Sequence, residues 1–208
     1  MRDRASLLHN GFPLLLAIGV IDSATRMGFL TFLPFLLRAK GAGVPEIGIA
    51  LTLLFAGGAA GKLVCGFLGA RLGVLPTVLL TEGATAVGIV ALLPLPFGPA
   101  LGLLPIIGVA LNGTSSVLYG TVPDLVTVEQ RETAFGVFYT GTIGAGAFSP
   151  ALYGLFGDAI GLIPTMLLVA VIVLLTLPLA WRLTRAFNAP PRRKATRESV
   201  ARGASTVP

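Results

Sequence analysis

Six runs of apolar residues follow one another along the chain, each about 20 residues long and each closed by a short cluster of glycine, proline or charge. A helical run of that length matches the hydrocarbon thickness of a bilayer. The pattern therefore predicts six membrane-spanning helices, near residues 11–37, 47–68, 77–95, 100–122, 133–156 and 162–183. Gly41 to Pro45 mark the first turn, and Pro94, Pro96, Gly98 and Pro99 mark the third. Residues 1–10 read as a short polar tail. Residues 185–208 are polar, basic and without an apolar period, and are expected to be disordered. The first run is too long for a signal peptide, carries Asp22 and Arg26, and has no small-residue cleavage site. The predicted fold class is all-α, a polytopic membrane protein.

A glycine pattern divides the six spans into two sets of three. Gly66-Phe67-Leu68-Gly69-Ala70-Arg71-Leu72-Gly73 closes the second span, and Gly154-Leu155-Phe156-Gly157-Asp158-Ala159-Ile160-Gly161 closes the fifth, 88 positions later. That offset carries spans one to three onto spans four to six, giving a repeat at 11–98 and a second at 99–184. Three is an odd number, so the second triplet enters the membrane from the opposite side. Such inverted repeats are common in secondary transporters, whose substrate and ion sites lie near the bilayer midplane.

Composition agrees with a membrane protein. Of 208 residues 54% are hydrophobic and 12% charged, against about 25% charged in soluble domains. The single Cys65 excludes a disulfide framework, and no cysteine or histidine set suited to a metal is present. No cofactor is expected. The net charge of +6 is explained by membrane flanks and not by nucleic acid, because no basic motif carries interleaved aromatics. With six spans, both termini and the second and fourth connections share one side. That side holds Arg2, Arg4, Arg71, Arg131 and the basic residues from Arg182 onward, and the other holds only Arg38 and Lys40. Basic loops mark the cytoplasmic face, so both termini are expected inside a plasma or inner membrane.

The segment from Gly66 to Gly73 resembles the loop signature between the second and third helices of each half of a major facilitator superfamily transporter. Pro123-Asp124, followed by Glu129-Gln130-Arg131-Glu132-Thr133-Ala134-Phe135-Gly136, is similar to that family's entry into the fifth helix of a half. Gly141, Gly144, Gly146 and Pro150 resemble its glycine- and proline-rich interface helix. The resemblance covers roughly residues 11–185. It implies a six-helix half of a twelve-helix transporter, with the helices of spans two and five sliding against the other half during alternating access. The signature's acidic position is Ala70 here, so the gating role of that carboxylate is not carried over. This loss and the long basic tail point to the C-terminal half.

The intramembrane polar residues carry the candidate chemistry. Asp22 and Arg26 lie four apart on one face of span one and can pair. A charge at mid-bilayer costs about 2.5–3.5 kcal/mol even on the lenient insertion scale, so such residues face a cavity or a partner. Asp22 is a candidate proton-coupling carboxylate and Arg26 a candidate anion-binding group; the alternative is a self-neutralised structural pair. Span four, the matching helix of the second repeat, brings Asn112, Thr114, Ser115, Ser116 and Tyr119, which would bond a substrate or neighbouring helices. Asn112-Gly113-Thr114 fits a glycosylation pattern, but its depth in a span argues against that use. Lys62 and Glu82 are weaker candidates, expected to snorkel to water. Tyr139, Thr140 and Thr142 would line the cavity or bond carbonyls one turn back. Gly57, Gly58, Gly61 and Gly66 on span two, and Gly141, Gly144 and Gly154 on span five, are expected to form close-packing faces. Gly66, Gly69, Arg71, Gly73, Arg131, Gly141, Gly144 and Pro150 make up the gating-loop and interface motif. Arg71 is expected to bond the free carbonyls at its helix end.

No Ser-His dyad or paired membrane aspartates suggest a protease, no filter repeat suggests a channel, and no phosphate-binding loop suggests an ATP-driven pump. The expected function is secondary transport of small organic solutes, proton-coupled and in the export direction, with no enzyme activity. The partners expected are the lipid bilayer, a small-molecule substrate and a second six-helix half or a second copy of the chain. The alternative is a truncated or partner-dependent half without independent transport.

Overall fold

The computed structural model describes residues 2–188, with side chains from Gly11 to Arg185; the tail beyond residue 188 lies outside the described residues. The described chain contains α1 (Arg2–Ala39), α2 (Val44–Leu72), α3 (Val74–Leu92), α4 (Phe97–Thr121), α5 (Arg131–Ile160), α6 (Leu162–Leu174) and α7 (Thr176–Asn188). Two short 3-10 turns, Val122–Asp124 and Val128–Gln130, link α4 to α5. Helices cover all six expected spans, and α1 runs back through the segment read as a tail. Segments of α1 to α4, and α6 continued by α7, are long and apolar enough to cross a membrane. Helix α5 is as long, at 30 residues, but its glycines and hydroxyls lower its hydropathy.

The sixth span is broken at Leu175, where the sequence suggested one helix. Pro178 supplies the reason: it has no N–H for the carbonyl four residues earlier. The chain tightens there, and the Thr176 hydroxyl donates to the Val173 carbonyl at 2.5 Å.

The two glycine turns match at atomic detail. Gly73 has φ 86° and ψ 172°, and Gly161 has φ 88° and ψ 170°. The Gly73 N–H donates to Gly69 O and the Gly161 N–H to Gly157 O, both at 3.0 Å. Thr77 and Thr165, the first buried threonines of the following helices, donate back to the carbonyls of Gly73 and Gly161, both at 2.8 Å. That backbone region is essentially restricted to glycine and costs about 1–3 kcal/mol for other residues. Gly73→Ala and Gly161→Ala are therefore each expected to destabilise the protein by about that amount, and by similar amounts. Thermal unfolding of each purified variant in detergent checks it; a loss at one site only would mean that the two turns are not equivalent.

Packing runs between the two sets of three helices. The most extensive helix contacts are α2 on α4 and α1 on α5. Each second helix of a triplet thus packs on the first helix of the other, so the triplets interlock instead of standing side by side. Helix α3 meets both α4 and α6. Lys40 ties the loop after α1 to the turn after α3, its Nζ donating to Leu93 O at 2.7 Å and Leu95 O at 2.5 Å.

Helices α2 and α4 approach backbone to backbone. A Cβ on Gly57 would overlap the carbonyl of Pro105, one on Gly61 the carbonyl of Val109, and one on Gly108 the carbonyl of Leu54. Lipid gives apolar helices no hydrophobic reason to associate, so van der Waals contact at small residues provides the attraction. The expected glycine faces divide into two kinds here. Gly57, Gly58 and Gly61 pack within the bundle, and Gly141 meets Leu16, but a Cβ at Gly66, Gly144 or Gly154 would meet nothing within 4 Å. Sequence spacing alone cannot separate a glycine under a neighbouring helix from one on the outer face.

Two apolar cores occupy the two ends of the bundle. One gathers Phe29, Leu33, Leu54, Ile89, Leu104 and Met166 among others. The other gathers Leu15, Ile18, Val78, Leu118, Phe138 and Ala180 among others. Between them, on every long helix that enters both, lies a layer of polar residues.

Candidate functional site

The polar layer is built in register along the helices. On α1, Asp22, Ser23, Thr25 and Arg26 fall between Ile18 and Phe29; on α3, Thr81, Glu82 and Thr85 fall between Val78 and Ile89; on α4, Thr114 and Ser115 fall between Leu111 and Leu118. Asp22 is 4% exposed and Glu82 1% exposed. Two acidic side chains and one basic one therefore sit at the middle of the bundle, away from both ends.

Asp22 and Arg26 pair as their spacing predicts. Arg26 Nη2 lies 3.6 Å from Asp22 Oδ2, an ion-pair distance too long for a hydrogen bond. The pair borders a crevice of about 10 Å³ shared with Gly19, Ser115, Leu118, Tyr119, Phe138 and Thr142. That volume is of the order of a single water. Tyr119 Oη lies 3.2 Å from Thr142 Oγ1, and its ring meets Phe138 edge to face with centroids 5.0 Å apart. Thr142 also donates to Phe138 O at 2.9 Å, so it both lines the crevice and bonds one turn back. Tyr119→Phe is expected to lower stability by only about 0.6 kcal/mol, the usual worth of an interhelical side-chain bond in a membrane. A small shift of the thermal midpoint in detergent would record it.

Of the remaining candidates on α4, Ser115 joins this site and bonds Asn112 O at 3.0 Å. Asn112 does not join it: its amide donates to Gly108 O at 3.2 Å and packs over Gly58. Ser116 also lies outside the crevice. On α5, Tyr139 and Thr140 are exposed. Lys62 is exposed on α2, in keeping with a snorkelling side chain.

Glu82 departs from its expected place. It does not reach water. Its carboxyl is held inside the layer at 1% exposure, and its Oε1 is buried without a donor. A glutamate stem is too short to climb the two helical turns to the end of α3. Around it the Thr114 hydroxyl donates to Thr81 Oγ1 at 2.7 Å, and Thr81 donates to Thr77 O at 2.8 Å. The signal was available: Thr77, Thr81 and Thr85 recur every fourth residue, which puts a polar stripe on one face of an otherwise apolar helix.

The motif residues are spread over the surface. Gly69 lies against Val117, where a Cβ would come within 3.1 Å of its side chain. Arg71 stacks over the Phe67 ring at 4.4 Å, a cation–π contact where carbonyl bonding was expected. Arg131 is exposed at the first position of α5, and Pro150 sits inside α5 without ending it. Cys65 is buried against Gly113. No group of histidine, cysteine or acidic residues suited to a metal ion occurs among the described residues.

Residues 15–208 match the sequence pattern of the Major Facilitator Superfamily. No curated protein matches the chain in sequence.

Proposed function

This chain belongs to the major facilitator superfamily, a family of membrane transporters, and on that footing we propose that it works in proton-coupled export of small organic solutes by alternating access. The observation that carries the reading is the polar layer at mid-depth, where Asp22, Arg26, Ser115 and Tyr119 converge on one crevice. Buried charge in a membrane is retained where it serves an ion or substrate path. In this reading Asp22 exchanges the coupling proton, Arg26 tunes it, and Ser115 and Tyr119 offer hydroxyls to the solute. Both termini face the cytoplasm of a cell or inner membrane, on the side of the basic loops, and the six helices act as the C-terminal half of a facilitator.

The size of the crevice favours a second reading of how the function is assembled. Small-molecule sites occupy roughly 300–1,000 Å³, and about 10 Å³ is present here. A solute chamber thus calls for a further six-helix unit facing the exposed sides of α2 and α5. That unit is a second copy of this chain or a distinct half, and without it the chain does not transport.

The test is transport in liposomes holding the purified chain and a trapped pH dye, challenged with a panel of lipophilic cations, zwitterions and organic anions. Solute-dependent proton movement that disappears in Asp22→Asn is expected where the oligomeric mass corresponds to two six-helix units. Solute movement without proton movement would overturn the coupling. No movement of any solute by such a dimer would overturn the self-assembled transporter.

A further inference from the structure

We infer that the solute is an organic anion, whose charged group is held between Arg26 of α1 and Lys62 of α2 across a polar stripe on α4. This rests on the transport reading above and names the substrate class of the same site.

Only some of the charges at membrane depth can be reached. The two acids there, Asp22 and Glu82, are buried, and the other acidic residues lie at helix ends, in turns or in the tails. The two bases differ from them: the Arg26 side chain is 20% exposed, and Lys62 is exposed. The accessible charge is therefore positive. Arg26 meets Asp22 at 3.6 Å, beyond hydrogen-bond length, so its guanidinium keeps donors for another acceptor. Lys62 forms no ion pair among the described residues. It stands ten residues before the end of α2, about 15 Å along the axis. Helical side chains lean towards the N-terminus of their helix, which turns Lys62 away from that nearer end. Its ammonium needs water or an anion at mid-depth, because lipid there is costly for a charge.

Helix α4 joins the two bases. Asn112, Ser115, Ser116 and Tyr119 recur at the spacing of one helical face, and all four are partly exposed. On one side, Ser115 and Tyr119 share the crevice with Arg26. On the other, Asn112 packs over Gly58, one turn from Lys62 along the same face of α2. Gly61 lies against Val109 and Cys65 against Gly113, which sets Lys62 level with the start of the stripe. A second copy of the chain would bring no acid to this level, since α2 and α5 carry acids only near their ends, at Glu46, Glu132 and Asp158. The counter-charge for Lys62 then comes from the solute. A carboxylate or similar oxyanion suits the two bases: a guanidinium binds it as a two-pronged fork and an ammonium as a point charge. The hydroxyls and amide of the stripe serve the rest of the molecule.

Thiol modification of the chain in liposomes reads the sign of this field without any solute. In Ser116→Cys, with Cys65→Ala removing the native thiol, a sulfonate-bearing methanethiosulfonate is expected to react about tenfold faster than a trimethylammonium-bearing one. Each rate is divided by that of a free thiol. On the same background Lys62→Glu is expected to reverse the order and Lys62→Arg to keep it; Lys62 is exposed, so neither change disturbs packing. Equal rates, a faster cationic reagent, or no reaction with either reagent would overturn the proposal. The solute panel described above uses the unmutated chain and so covers a cysteine variant that does not fold. Movement of the organic anions alone is expected, with loss in Lys62→Glu. Movement of the lipophilic cations without the anions would overturn the anion site and retain the transport reading. Preference for the sulfonate reagent without movement of any solute would retain the anion site and reject the transport reading.

Discussion

Gly57→Leu is expected to abolish the folded state, and Gly108→Leu to do the same from the other side of the interface. Overpacking of a core usually costs about 1–3 kcal/mol, because neighbouring side chains can change rotamer. Here the neighbours are carbonyl groups of Pro105 and Leu54 in the backbone of the facing helix. They cannot rotate away, so α2 and α4 must separate along their largest shared contact. The expected loss is above about 4 kcal/mol, in the range that marks a specific structural failure. Gly66→Ala and Gly144→Ala are the matched controls, with open space where the methyl would go. Both are expected to be neutral or slightly stabilising, since alanine is favoured over glycine in a helix by up to about 1 kcal/mol. Yield of monodisperse protein and its thermal midpoint in detergent report all four. Loss of folding in Gly66→Ala with tolerance of Gly57→Leu would mean that the glycines pack against a partner and not within the bundle.

The contrast between those glycines shows what the sequence could carry. The six spans were legible because apolar length is a local property. The repeat was legible because Gly73 and Gly161 need the same unusual backbone, and only glycine supplies it cheaply. Asp22 and Arg26 were legible as a pair because both sit on one helix. The position of Glu82 was not, since its burial depends on how α3 is set against α4 and α6, far along the chain. Asn112 is the opposite case. It has the chemistry of a site residue, but the packing of α4 on α2 turns it towards Gly58. The break at Leu175 was readable from Pro178 and was hidden by the strong apolar signal around it.

The charge layer gives the second large effect. Arg26→Leu removes the basic group that pairs with Asp22 and leaves that buried acid without its counter-charge. Removing one partner of a buried ion pair costs about 3–5 kcal/mol, because the surviving charge stays desolvated. A loss of that size is expected here even though Arg26 is 20% exposed, since its partner is 5% exposed and cannot turn to water. Arg26→Lys should recover part of the loss, because an ammonium keeps the charge but reaches less far. Arg26→Leu combined with Asp22→Asn should recover most of it, because the neutral amide needs no counter-ion. The double variant then separates electrostatics from packing: the packing of Arg26 is equally absent in both. Chemical unfolding in mixed micelles measures the three variants against the unmutated chain. If the double variant is as unstable as Arg26→Leu alone, Arg26 acts through its stem and the polar layer is not held by charge.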